Sequence, residues 1–277
     1  MNGQKLEALR DRIFAALERG AVRDARRGIE KLRRYEPVEA ASLLTALCIE
    51  ERDAKGALKA WQECRARAPH EPYTTFLRAR IHLLMGERRA ALRILTPLFD
   101  APMSAEVAEK VYNLAGQCAR FLGAADKAVG FYARARDAAP NLALRALNAS
   151  NVLFNRHYLP ATPSEDRQAA EEYGSLFAAI QALDHRAHRR GQRLRIGYLS
   201  PDVREHVVLS FSYALMTALD PMRFAVTVYA LGAEDAYTEQ VKRSVQDFRN
   251  LSRLTQEEAA YAIYRDGIDI LVALAGH

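Results

Sequence analysis

The stretch VYNLAGQCARFLGAADKAVGFYARARDAAP, residues 111–140, reads as two amphipathic helices joined by a tight turn. Gly116, Ala119, Ala128 and Ala135 put small residues where two helices would touch, Tyr112 and Tyr132 supply bulk, Gly123 marks the turn, and Pro140 closes the pair. Glycine supplies the permissive backbone that a helix-ending turn needs, and proline cannot continue a helix. The same grammar recurs upstream, as Gly20, Ala25, Leu32 and Pro37, then Arg52, Ala57, Trp61, Cys64 and Pro69, then Gly86, Ala91, Leu95, Leu98 and Pro102. The turn positions are separated by 32, 34 and 37 residues, a short addition near Ala101 to Ala105 accounting for the longest step.

A period in this range is that of the tetratricopeptide unit, a helix–turn–helix that buries its apolar face only by stacking on neighbours. Residues 1–141 are therefore predicted to form a tetratricopeptide-like helical solenoid, with a generic helical bundle as the competing reading. Such an array presents a concave surface suited to an extended peptide or a protein domain. NLALRALNASNVLFNRHY, residues 141–158, continues as a capping helix, and Pro160 and Pro163 break it. Thr162, Pro163 and Glu165 stand as N-cap, N1 and N3 of a further helix, predicted to run toward His188 within a cap and linker over residues 142–192.

Composition frames this reading. The 277 residues are 49% hydrophobic, 27% charged and 8% aromatic, which excludes disordered, collagenous and low-complexity classes. The net charge is +6. Residues 1–34 hold ten Lys/Arg against five acids, and Arg23, Arg27, Lys31 and Arg34 share one helix face. That face is either a solvated surface or a docking patch for an acidic partner, and the absence of interleaved aromatic residues argues against nucleic acid. Cys48, Cys64 and Cys118 form no CxxC and fall among apolar residues, so neither disulfides nor a zinc site is expected. His185 and His188 are spaced as a metal pair, but Arg186, Arg189 and Arg190 would repel a cation. No secretory signal is legible, and the longest nearly apolar run, Val207 to Leu219, is 13 residues, short of a membrane span. A cytoplasmic protein without membrane contact is the expectation.

After Gly191 the pattern changes to alternation. RLRIGYLS (193–200), FAVTVYAL (224–231) and DILVALAG (269–276) are short, apolar and rich in β-branched or aromatic residues, as in strands buried on both faces. A weaker strand is expected at Phe248 to Arg253, with helices at Val208–Leu219, Thr238–Val245 and Gln256–Arg265. This series predicts a doubly wound parallel sheet whose ligand edge lies at the carboxyl ends of the strands, where the loop Ser200 to His206 and the residues Gly276 and His277 fall. No GxGxxG or Walker sequence is present. Asp202 and His206 share the loop, and a histidine there can orient a hydroxyl, act as a base or donate to a phosphate.

SNVLFNRHY (150–158), RLRIGYLSPDVREH (193–206), FAVTVYAL and RDGIDILVALAGH (265–277), following a repeat array, resemble the O-linked N-acetylglucosaminyltransferase (O-GlcNAc transferase) family, specifically its bacterial members. The resemblance is loose over the repeats and specific over residues 150–277. It implies a repeat solenoid followed, at residues 193–277, by a partial Rossmann-like amino-terminal lobe of the GT-B architecture. The implied activity is inverting, metal-independent transfer of N-acetylglucosamine from UDP-GlcNAc to Ser or Thr of proteins held in the repeat groove, with no cofactor. His206 matches the family's active-site histidine, Asp202 an acidic support in the same loop, and His277 the histidine of the LAGH string at the cleft.

The chain departs from the pattern where Val207 and Val208 follow His206, and where Ala273 stands at a position commonly Asp. The family's second lobe, which holds most nucleotide contacts, has no counterpart in these residues. UDP-sugar is thus expected to bind only with a second lobe, and the 277-residue chain to be inactive alone, because charge developing on the leaving diphosphate requires fixed cations and donors. A non-catalytic tetratricopeptide scaffold for protein–protein interaction is the alternative.

Overall fold

A computed structural model describes residues 3–185 and 191–274. The chain forms two compact units that divide between Ala179 and Ile180.

The first unit is a succession of antiparallel helices: α1 (Gly3–Glu18), α2 (Val22–Leu32), α3 (Pro37–Glu50), α4 (Ala54–Arg67), α5 (Pro72–Leu84), α6 (Arg88–Leu95), α7 (Ala105–Phe121), α8 (Ala125–Ala138), α9 (Leu142–Arg156) and α10 (Pro163–Ser175). Each packs on the next, and α5 also touches both α3 and α7, so the first helices of these successive pairs form a row. The repeat marks fall into place. Ala25, Ala57, Ala91 and Ala128, one in each second helix, are 0% exposed. Gly20, Arg52, Gly86 and Gly123 all have positive φ, the left-handed conformation that ends the first helix and starts the turn. At Gly116 the helices approach so closely that a Cβ would stand 2.8 Å from the Tyr132 ring. The core runs from Ile13, Ile29 and Leu32 through Trp61, Leu77, Ile81 and Leu95 to Tyr132.

Two local expectations are corrected. Pro37 does not close α2; it opens α3 at the first helical turn, where its missing N–H costs nothing. The helix after Pro163 begins with the expected capping box but ends at Ser175 instead of running toward His188. Gly174 weakens its last turn, and Leu176, Phe177 and Ala178 then close three-residue turns to Tyr173, Gly174 and Ser175. The three cysteines are buried free thiols, and burial pushes Cys118 up to about 11.

The second unit is a parallel sheet, β1 (Leu194–Ser200), β2 (Phe224–Ala230), β3 (Asp247–Asn250) and β4 (Ile270–Ala273), connected through α11 (Val207–Thr217), α12 (Ala236–Ser244) and α13 (Gln256–Arg265), in the order β3-β2-β1-β4. Ile196 pairs with Val226 and Ile270, and Tyr198 with Val228 and Val272, which sends these apolar side chains to one face. There they meet Leu209 and Met216 of α11 and Val241 of α12. On the other face Gly197 leaves room for the Tyr229 ring, which is fully buried and donates its hydroxyl to Asp266 at 2.7 Å.

Only β1 and β2 match the expectation of burial on both faces. β3 and β4 pair on one side each, and Ile270 and Leu271 of β4 are each 46% exposed. Outer strands of an open sheet lack a neighbour to cover them.

Candidate functional site

The connection from β1 to α11 is built by short-range hydrogen bonds and one distant anchor. The Ser200 hydroxyl accepts from the Asp202 N–H at 3.0 Å, turning the chain at the end of the strand. Val203 is 2% exposed and pins the loop into the core. Thr238, in the first turn of α12, donates its hydroxyl to the Val203 carbonyl at 2.7 Å. Asp235 caps α12 by accepting from the N–H groups of Tyr237 and Thr238, and with its other oxygen accepts the Glu205 N–H at 2.7 Å. These donors hold the Asp235 carboxyl below its ordinary range, the Glu205 and Thr238 N–H groups contributing most. Gly232 lets the β2–α12 connection touch the loop, since a Cβ there would lie 2.4 Å from the Pro201 carbonyl oxygen.

The loop delivers His206 to the first position before α11. Its Nδ1 accepts the Val208 N–H at 3.3 Å, so the imidazole caps the helix. With Nδ1 occupied as an acceptor, the neutral ring carries its proton on Nε2. The nearer Asp202 carboxylate oxygen stands 3.6 Å from Nδ1, an ion-pair distance when the ring is protonated but too long for a strong hydrogen bond. Arg204 approaches the other Asp202 oxygen at 3.9 Å. A cleft of about 710 Å³ opens beside the loop, lined by Arg204, His206, Ser210, Tyr213, Tyr237 and Gln240 among others.

The structure therefore brings together two of the expected site residues, Asp202 and His206, at the carboxyl end of β1. The third, His277, lies outside the described residues, as do Gly276 and His188 of the candidate metal pair. His185 stacks edge-on against Tyr264, with ring centroids 5.1 Å apart. Among the described residues no three His, Cys, Asp or Glu side chains cluster as a metal site, and no helix is long and apolar enough to cross a membrane.

Asp235, Thr238 and Gly232, which hold the loop in place, were missed in sequence. The string DAYT, Asp235 to Thr238, carries a helix-start signal, but its second task lies 30 residues away at Glu205 and leaves no local trace.

In the first unit, a cleft of about 460 Å³ lies along the row of first helices and is lined by Phe76, Arg80, Lys110, Asn113, Gln117 and Leu147 among others. Beneath it Asn113 donates to Asn148 at 2.6 Å, and buried Asn148 donates to buried Glu109 at 2.8 Å, linking α7 to α9.

Residues 176–277 match the profile of glycosyl transferase family 41. Over 92 residues the chain is 33% identical to the Caenorhabditis elegans protein named UDP-N-acetylglucosamine–peptide N-acetylglucosaminyltransferase, a match covering 32% of this chain and 8% of that protein. A mutant of Thermobaculum terrenum O-GlcNAc transferase has a similar fold, with a TM-score of 0.53 at 21% identity over 96% of this chain and 45% of that one. Pseudomonas aeruginosa PilF is similar over 66% of this chain and 79% of its own, with a TM-score of 0.50 at 14% identity. The chain thus spans less than half the length of either transferase.

Proposed function

We propose that this O-GlcNAc-transferase-like chain, whose residues 176–277 form a glycosyl transferase family 41 segment, supplies the acceptor-holding repeats and the His206 loop of a protein O-GlcNAc transferase. The observation that carries the reading is the placement of His206, within that segment, at the carboxyl edge of β1 on an open cleft. Parallel α/β sheets collect their ligands at this edge. A cytoplasmic setting and an acceptor peptide lying along the cleft over α5, α7 and α9 complete the proposal.

In the proposed reaction a Ser or Thr hydroxyl attacks the anomeric carbon of UDP-GlcNAc. The new C–O bond forms as the bond to the diphosphate breaks, with inversion; UDP leaves with that bond's electron pair, and the hydroxyl proton passes to the departing diphosphate or to solvent water. The Val208 N–H occupies Nδ1 of His206, so the neutral ring offers an Nε2–H. That supports a donor role, orienting a substrate oxygen or sharing the charge that builds on it, over removal of the acceptor proton. Asp202 stands beside the ring, 3.6 Å from Nδ1. Neutralising the departing diphosphate is assigned to groups of a second lobe, and no cofactor is required.

The test uses the complete natural polypeptide with UDP-GlcNAc and Ser- or Thr-containing acceptor proteins, read by mass spectrometry for added N-acetylhexosamine. His206→Ala should lower kcat by about 100-fold or more, the scale of losing a positioned donor, with acceptor binding to the repeats unchanged. Undiminished transfer by that variant would remove the role of His206, and transfer by the 277 residues alone would remove the division of labour.

A further inference from the structure

The α1–α2 hairpin sorts its cations. Arg10, Arg26 and Arg33 pair with Glu39, Glu51 and Glu63 of the following hairpin. Arg12 of α1, together with Lys31 and Arg34 at the end of α2, faces elsewhere, and among the described residues these three form no ion pair. With Lys5 they line one cleft of about 550 Å³, floored by Ala8, Leu9 and Tyr35, and among the described residues no carboxylate lines it. Tyr35 is 48% exposed there.

Attraction to the carboxyl end of α2 explains a cation at Lys31, the last turn of that helix. It does not explain why a separate helix contributes Arg12 to the same cleft, nor why apolar surface is left open between them. Like charges gathered around an apolar floor repel one another unless an anion joins them.

We infer that this cleft is a docking surface for an acidic peptide segment of a partner protein, its carboxylates meeting Arg12, Lys31 and Arg34 and an apolar side chain resting on Leu9 and Tyr35. A short basic groove with one half-exposed aromatic ring suits a short peptide better than a nucleic-acid strand, which needs a longer basic track and successive stacking rings. The surface is separate from the His206 cleft, and the inference stands whether or not that cleft transfers sugar.

The probe is a fluorescein-labelled peptide of about twelve residues, mostly Glu with interspersed Leu and Phe, titrated with the full chain and followed by anisotropy. Saturable binding is expected, weakened at least about tenfold when NaCl rises from about 50 to about 300 mM, since salt shortens the reach of surface charges. The Arg12→Glu/Lys31→Glu/Arg34→Glu variant should bind at least about tenfold more weakly, while Arg19→Glu/Arg23→Glu, outside the cleft, should stay within about threefold. If the triple variant loses helical circular dichroism, the single variants Arg12→Ala and Lys31→Ala carry the test, each expected to weaken binding about two- to fivefold. No saturable binding, equal loss in both charge-reversal variants, or equally tight binding of a single-stranded oligonucleotide of matched charge would each overturn the inference.

Discussion

The Glu205 N–H donates to one oxygen of Asp235 at 2.7 Å, while the other oxygen of the same carboxylate caps α12 through Tyr237 and Thr238. One side chain thus ties the His206 loop to a helix that starts 30 residues later. The two tasks are separable by chemistry. Asp235→Asn keeps one carbonyl oxygen for the two helix donors but presents an amide N–H₂ to Glu205, where an acceptor is needed. The expected outcome is faster hydrogen exchange at the Glu205 amide with α12 protection unchanged. Equal protection in the variant would show that the tether contributes nothing.

The same carboxylate sets a pH dependence. Its pKa is depressed below the ordinary 3.8, so the stabilisation it confers is fully present above that value and is lost as pH falls through the lower folded value. Loop exchange at Glu205, corrected for intrinsic rate, should therefore be flat from neutrality to about pH 5 and rise below about pH 4. In Asp235→Asn that acid-induced rise should be absent. A rise of the same size in both proteins would assign it to other carboxylates.

Close packing in the repeats predicts two glycine substitutions of opposite sign in neighbouring helices. A Cβ at Gly116 would meet the Tyr132 ring at 2.8 Å, and Tyr132 is 1% exposed with no room to retreat. Overpacking of this kind costs about 1–3 kcal/mol, against roughly 1 kcal/mol gained in helix propensity, so Gly116→Ala should destabilise by about 1 kcal/mol. Gly130, exposed on α8, has nothing within 4 Å of its added Cβ. Gly130→Ala should stabilise by about 1 kcal/mol. Denaturation midpoints followed by circular dichroism check both, and the same sign at the two sites would contradict the packing argument.

What could be read from sequence was what repeats or alternates. Ala57 and Ala91 announced buried helix contacts because the marks recur at a fixed spacing, and Tyr198 and Val228 announced a sheet because their neighbours alternate. Contacts made once across a long separation left no pattern. The Thr238 hydroxyl reaching Val203, and Gly232 making room for Pro201, are of that kind. The exposure of Leu271 was hidden for a different reason: strand composition reports a preference for extended backbone and burial, whereas position in the sheet decides whether a neighbour covers the strand. Asp202 and His206 were legible because they stand four positions apart in one loop.

Arg52 shows how the repeat pattern constrains energy as well as shape. It occupies the turn position held elsewhere by Gly20, Gly86 and Gly123, and with φ 60 it is the non-glycine residue in a conformation that the other three turns assign to glycine. A left-handed backbone costs an L-residue roughly 1–2 kcal/mol, while glycine loses about 0.5–1 kcal/mol more than other residues through the freedom of its unfolded chain. The Arg52 side chain makes no hydrogen bond or ion pair among the described residues, so its removal sacrifices no such contact. Arg52→Gly should therefore stabilise the α3–α4 hairpin by about 0.5–1 kcal/mol, and Gly86→Ala should destabilise its neighbour by a similar amount. Because stacked repeats unfold as coupled neighbours, the shift belongs to the helical transition as a whole and is read as a change in urea midpoint at constant slope. A lower midpoint for Arg52→Gly would mean that the arginine contributes through the unfolded chain or through solvent in a way its backbone conformation does not reveal.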